Sequence, residues 1–407
     1  MTAEQSPASS HFRSPCAVVL GGWVSGYSII SELHAEGVEH IALLDNERRL
    51  GAFSNKVETF RRTENSAEAL SGALLELRQQ YDYLVLFPTK DIQLEHMLEV
   101  QAEIGDFCFM PFNPTNLLDC LEKRFQYAAC ERLGVPYPRS ITVSRIEDYE
   151  RLREIPFPIL LKPNKRDDLD IHSLSRNIQL PDEAAHGRHR SYVADHLSLG
   201  VQFIASEVVP GDGSQIYAYT AFRSPEGRIV NEWIGKKLSQ HPDDFGVFAS
   251  ASNQAPDVVR DQGRTLLEQL DIHGIAEPEF KFDHRDGRYK LMEINLRSMM
   301  WNHVGYLSGV PLHYSMYRYA TGAEPLHRVQ DQQRDIHFIF FSNEINNLVS
   351  RKGYAGTFRS VFRGGDERVL AIWDRKDPLP FLASLRILSI ELAKKAAKAC
   401  LRLLRIR

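Results

Sequence analysis

The chain has 407 residues, 43% of them hydrophobic and 25% charged, with a formal net charge of -4. This is globular composition with material for a substantial core, and the length favours two or three domains over one. The charge balance excludes a polyelectrolyte that seeks nucleic acid. Five scattered cysteines (Cys16, Cys108, Cys120, Cys130 and Cys400) show no CxxC spacing, which fits a reducing compartment better than a disulfide framework. No secretory signal is legible at the start, and no run reaches the ~18 apolar residues of a membrane span. A cytoplasmic enzyme or binding protein is the expectation.

In chain order, residues 1–14 read as a flexible N-terminus. Cys16 to Leu20 is a short apolar run suited to a buried parallel strand, and Gly21-Gly22 turns it into a helix from Ser28 to Glu36. His40 to Leu44 forms the next strand and ends in Asp45, completing a βαβ unit. Tyr83 to Phe87 is a further strand, followed by an acidic helix. The run from Gly21 to Gly26 falls short of GxGxxG, and Trp23 stands where a pyrophosphate needs a small residue. A Rossmann-like half-domain that walls a cleft is therefore favoured over a nicotinamide or flavin site.

A helix is expected from Asn113 to about Leu133, stopped by Gly134. Residues 156–163 form an apolar strand that ends in Lys162-Pro163. Residues 164–190, rich in Asp, Arg and His, read as a loop or lid. Strands follow over 201–209, 215–223 and 228–234, then a helix over 256–272. Two more strands, 276–283 and 288–294, meet across an Asp286-Gly287 hairpin turn.

Strand period 2 sets Glu293, Asn295 and Arg297 on one face, and antiparallel pairing brings Glu279 toward it. Two carboxylates and an amide oxygen make a hard oxygen site suited to Mg²⁺, with Arg297 placed for a phosphate or carboxylate. Spacing alone equally allows a solvated strand face with an ion pair. Leu291, Met292, Ile294 and Leu296 argue against simple exposure, and an inward carboxylate without a cation is costly.

The series Lys123, Lys162-Pro163, Glu207-Val-Val-Pro-Gly211, Glu279-Phe-Lys and Glu293-Ile-Asn295-Leu-Arg297 resembles the ATP-grasp superfamily in order and interval. The stretch from Gly235 to Gly246 and Phe87-Pro-Thr-Lys-Asp91 resemble its carboxylate–amine ligase branch, akin to D-aspartate ligase. The likeness runs from about residue 16 to 325. It implies an α/β (α+β) ATP-grasp fold, with a Rossmann-like pre-ATP-grasp domain over 15–112, an ATP-grasp domain over 113–325 and a C-terminal extension over 326–407.

The resemblance also implies roles. Lys123 and Lys162 would reach ATP phosphates, although Lys162 alone reads as a snorkelling surface lysine. Glu207, Val208 and Val209 would form the hinge that reads adenine, and Gln215 would approach the ribose. Lys236 or Lys237, with Lys237 preferred, would approach the γ-phosphate or an acyl phosphate. Glu279, Glu293 and Asn295 would hold Mg²⁺, or Mn²⁺ in its place, and Arg297 would face the transferred phosphoryl group. The implied reaction joins a small-molecule carboxylate to an amine through an acyl phosphate, releasing ADP and phosphate. A carboxylase acting through carboxyphosphate and a non-catalytic ATP-binding regulator are the alternatives on the same fold. A homodimer is compatible with it, and no nucleic-acid partner is implied. Two departures stand out: Leu296 replaces a common proline, and the loop after Lys162 offers Lys165 and Arg166 in place of a glycine-rich phosphate cover.

Met299 to His303 follow the metal strand and are expected to line a substrate pocket. His303 reads as a base for the amine or as a packed histidine. From Phe381 to Arg407 the tail carries seven basic residues and one acid, Glu391. Leu392, Ala396, Ala399, Leu403 and Ile406 share a helical face roughly opposite Lys394, Lys398, Arg402 and Arg405. Such a helix docks on its own domain, on a partner helix, or peripherally on the inner face of an anionic membrane.

Overall fold

The computed structural model describes residues 12–164, 174–175, 177–243 and 246–404, with side chains as far as residue 398. Most of the expected N-terminal tail, Lys165, Arg166 and the last residues of the basic helix lie outside the described residues.

Strands β1 (Pro15–Leu20), β2 (Ile41–Asp45), β3 (Thr59–Arg62), β4 (Tyr83–Pro88) and β5 (Cys108–Phe109) form a parallel sheet in the order β3-β2-β1-β4-β5. The alternation of β1 serves two cores: Cys16, Val18 and Leu20 join one, Ala17 and Val19 the other. Helix Val24–Ala35 begins earlier than Ser28, because the glycine turn hands over to it directly. The Gly22 amide donates to Asp45 at 2.7 Å, and a Cβ on Gly26 would stand 1.8 Å from the Gly21 carbonyl oxygen. The acid that ends β2 thus closes the turn, and Gly26 permits close approach of helix to strand.

A smaller antiparallel sheet, order β6-β9-β7-β8, is built from β6 (Ser140–Val143), β7 (Ile159–Pro163), β8 (Ile178–Leu180) and β9 (Phe203–Glu207). It has its own apolar cluster, including Tyr149, Leu152, Leu161, Val193 and Phe203. Of the loop expected over 164–190, residues 165–173 and 176 lie outside the described residues, and the part from 178 onward is corrected here. Residues 178–180 pair with β7, and helix Glu183–Ser198 follows an N-cap in which Asp182 accepts from the Ala185 amide at 2.7 Å. From residue 183 the polar residues are largely that helix's outer face, while His186 and Val193 point inward.

The largest sheet runs β14-β13-β10-β11-β12-β15-β16, from β10 (Ile216–Arg223), β11 (Ile229–His241), β12 (Val247–Ser252), β13 (Gly274–Asp283), β14 (Arg288–Asn295), β15 (Ile336–Ile339) and β16 (Glu367–Leu370). β11 extends past residue 234 because β10 and β12 pair with it on both sides. The hairpin between β13 and β14 has a longer loop than a two-residue turn: the Gly287 amide donates to the Asp283 carbonyl at 2.8 Å, with Gly287 at φ +69°. The segment after residue 325 supplies β15 and β16 to this sheet and then helix Leu379–Leu404.

A buried acid ties the parallel sheet's first helix to the large sheet's flank. Glu32, 1% exposed, accepts from the amides of His313 (2.8 Å) and Tyr314 (3.1 Å), and its second oxygen meets His313 Nδ1 at 2.6 Å. It thereby caps helix Leu312–Ala320, and His313 passes the contact on to Ser298 at 2.8 Å. Replacing Glu32 by Ala would orphan these donors in a dry interface and should cost about 3 kcal/mol or more in urea unfolding; a loss below about 1 kcal/mol would show the tie to be dispensable.

Candidate active site

On β13 and β14, Glu279 faces Glu293 and Glu277 faces Asn295, so four polar side chains make a two-by-two patch on one face. The ladder slips between Glu279 and Phe280, leaving Met292 out of register. The carbonyl this bulge frees is taken by Lys123 Nζ (3.2 Å) and the Tyr127 hydroxyl (3.1 Å), which fixes helix Lys123–Leu133 against the strand.

Like charges directly opposite on neighbouring strands repel. Here Lys237 lies 2.7 Å from Glu279, and Lys123 lies 3.0 Å from Glu293. Burial pushes the Glu293 carboxyl up, but Lys123 and then Lys162 overcome that and hold it well below the usual carboxylate range. Burial likewise pulls Lys123 down, and Glu293 reverses it, so its net shift is upward. Lys162 comes from β7 of the smaller sheet, so the patch faces a cleft between the two lobes. Alternation along β11 turns Lys236 to the opposite face from Lys237, which is 5% exposed.

Glu277 went unnoticed in the sequence, although the same period-2 rule places it beside Glu279. It is fully buried and accepts from Trp301 Nε1 (3.1 Å), Thr220 Oγ1 (3.0 Å) and the Asn302 amide. Burial first, and Glu279 second, push its pKa up to about 7. Its partner Asn295 is 5% exposed, and the Asn295 side-chain nitrogen finds no hydrogen-bond partner among the described residues.

Arg297 reaches across to the parallel sheet. Its Nε lies 2.6 Å from Asp91 Oδ1 and its Nη2 3.3 Å from Oδ2, a two-pronged hold on helix Asp91–Glu99 beyond β4. The Phe87-Pro-Thr-Lys-Asp91 motif and the arginine just past β14 thus meet in space.

At the other end of the cleft the Glu207 side chain is engaged by protein. It accepts from Lys290 (3.2 Å), Arg285 (3.0 Å) and the Arg139 amide (3.2 Å). The Glu207 and Val208 amides donate to Arg139 and Pro158, each at 2.9 Å. Arg285, and then Lys290, hold Asp283 well below the usual carboxylate range in the same network. Neither basic residue was singled out in the sequence, because hairpin and loop had to fold to bring them to Glu207. Gln215 sits in the short turn Gly213–Gln215 beside Gly211, its amide 3.4 Å from Ser214 Oγ.

His303 does not join this group. It packs between Tyr306 (5.1 Å) and Phe338 (5.6 Å) and borders a cavity of about 780 Å³ that Tyr27, Lys56 and Trp373 also line. Burial lowers its pKa to about 4. Among the described residues no cluster of three or more His, Cys, Asp or Glu side chains is arranged to hold a metal.

No family model matches the chain. D-aspartate ligase from Enterococcus faecium is 25% identical over 225 residues, 52% of this chain and 53% of that protein. The chain thus spans about half the length of this curated relative. Among solved structures, N5-carboxyaminoimidazole synthetase from Staphylococcus aureus superposes with a TM-score of 0.61 at 11% identity, over 80% of this chain and 82% of that one. The biotin carboxylase domain of 2-oxoglutarate carboxylase from Hydrogenobacter thermophilus, solved with MgADP and bicarbonate, gives 0.60 at 12% identity over 79% and 72%. The chain carries the ATP-grasp fold. Within that fold, the large sheet bears the acidic patch and the smaller sheet supplies Lys162 and the Glu207 strap.

Neutral His303, half-buried between Tyr306 and Phe338, has a consequence for pH. The unfolded chain takes up a proton on this side chain below about pH 6.5, whereas the folded protein does so only near 4. Stability should therefore fall as pH drops through that window, and His303→Gln should remove one proton from the acid-side slope. Urea midpoints measured from pH 7 to 4 check this; an unchanged slope would place the acid sensitivity elsewhere.

Proposed function

We propose that this chain is an ATP-dependent carboxylate–amine ligase that forms an amide through an acyl phosphate and releases ADP and phosphate. The observation that carries the reading is the convergence of Lys123, Lys162 and Lys237, from three separate elements, on the facing pair Glu279 and Glu293. Two opposed carboxylates beside the buried Asn295 amide, whose oxygen would be the ligand, suit a hard divalent cation. Glu279, Glu293 and Asn295 would hold Mg²⁺, or Mn²⁺; once bound, the ion supplies charge neutralisation at phosphate oxygens.

The remaining work falls to side chains of this protein. Lys123 and Lys162 offer positive charge to the phosphates from opposite walls of the cleft. Lys237, freed from Glu279 when a cation replaces it, is placed to follow the charge that moves onto the acyl phosphate. Arg297, braced by Asp91, presents a fixed cation where the carboxylate and phosphoryl group must meet. The strap at Glu207, Val208 and Val209 would offer adenine the backbone groups other than the engaged Glu207 and Val208 amides, while the Glu207 carboxylate holds the strap in place, and Gln215 stands beside it for the ribose. The E. faecium relative, named for D-aspartate, supports an amino acid as the carboxylate. Carboxyphosphate chemistry has the fold-level neighbours in its favour, and the sequence relative against it.

Incubation with Mg²⁺-ATP and an amino-acid panel, with hydroxylamine as trap, should give acid-dependent ADP release and a hydroxamate. If no acid elicits either, the acyl-phosphate reading fails. Glu293→Gln should lower turnover at least about a hundredfold with an unchanged melting temperature; near-normal activity would mean that the metal sits elsewhere. Asp91→Asn should lower kcat about tenfold while KM for ATP holds, because it loosens Arg297 without touching the nucleotide strap.

A further inference from the structure

Helix Leu379–Leu404 packs on the body along one side only. Ser384 and Leu388 are buried, Ser384 Oγ meets Ser342 Oγ at 2.8 Å, and Asn346 binds both Glu391 (3.1 Å) and Lys395 (2.7 Å). Leu392, at the head of the apolar face read from the sequence, is half-buried on this packed side. A different stripe faces solvent: Leu379 is 55% exposed, Leu382 54% and Ile390 45%, with exposed Ala393 and Ala397 continuing it. At the α-helical period these five lie within about 80° of arc, interrupted by exposed Arg386. Trp373, 49% exposed and edge-on to Phe381 at 5.2 Å, stands just before the helix.

Charge around the stripe is one-sided. Arg375, Lys376, Arg386, Lys394 and Lys398 are exposed. Of the nearby acids, Asp374 pairs with Lys56 at 2.7 Å and buried Asp377 bonds Ser54 at 2.5 Å, while exposed Glu391 bonds Asn346 and keeps its charge, which leaves the face net positive. The chain as a whole is acidic, at -4, so this face is a local exception. Among the described residues no helix is long and apolar enough to cross a membrane.

We infer that this helix and Trp373 form a membrane-surface element, with Leu379, Leu382 and Ile390 entering the interface of an anionic bilayer and the flanking lysines and arginines at its headgroups. An apolar stripe flanked by cations matches an anionic lipid surface, whereas two copies of the same cationic face would repel. The inference stands independently of the ligase reading.

The test is co-sedimentation of the full chain with phosphatidylcholine vesicles, with and without about one-third phosphatidylglycerol, at about 0.15 M salt. Binding is expected only with phosphatidylglycerol. It should weaken about tenfold or more in Leu382→Ser/Ile390→Ser, and about 30-fold in Lys394→Gln/Lys398→Gln, while thermal melting is unchanged. No binding to anionic vesicles overturns the inference, as does equal binding to neutral ones. Self-association in solution that Leu382→Ser/Ile390→Ser abolishes would assign the stripe to a second copy and overturn it too.

Discussion

Glu279 and Glu293 face each other across a strand ladder, where two negative charges raise one another's energy. The fold tolerates the pair only because cations are brought to it from far along the chain. Lys237 arrives from two strands away on the same sheet, Lys123 from a helix start fixed by a strand bulge, and Lys162 from the other lobe. Every large feature of the architecture contributes to that meeting: the seven-stranded sheet presents the acids, and the smaller sheet closes over them. Held anionic by neighbouring lysines, the pair is the arrangement that the proposed cation and phosphate site would use.

Behind the pair lies Glu277, whose three donors come from a neighbouring strand and from the loop after Asn295. That loop is held a second time through Ser298, His313 and Glu32, and a third time through Arg297 and Asp91. The parallel sheet therefore acts on the site through contacts at a distance. It fixes the segment that follows the acids, and the acidic patch inherits the precision of that bracing.

Period-2 reasoning found the acidic patch in the sequence, because a strand's alternation is a local rule that survives folding. The βαβ start was legible for the same reason: the apolar run of β1, its glycine turn and Asp45 are consecutive. Residues 178–190 misled because the outward face of a helix and a loop share a composition, and only the buried His186 and Val193 tell them apart. The ligation of Glu207 by Lys290 and Arg285, and of Arg297 by Asp91, was out of reach. These pairs lie 83, 78 and 206 positions apart and no periodicity links them. Family resemblance supplied the order of the motifs, but not the pairings that hold them.

Among the described residues the smaller lobe keeps its apolar cluster apart from the other two buried clusters. A unit with a private core can open and reclose without melting its neighbours, so amide exchange across this protein should divide into at least two cooperative blocks. The Glu207 network and the charges reaching Glu293 are the bridges between them. Anything that settles in the cleft adds to those bridges and merges the blocks, so occupancy there is written into the exchange rates of residues that never touch the ligand.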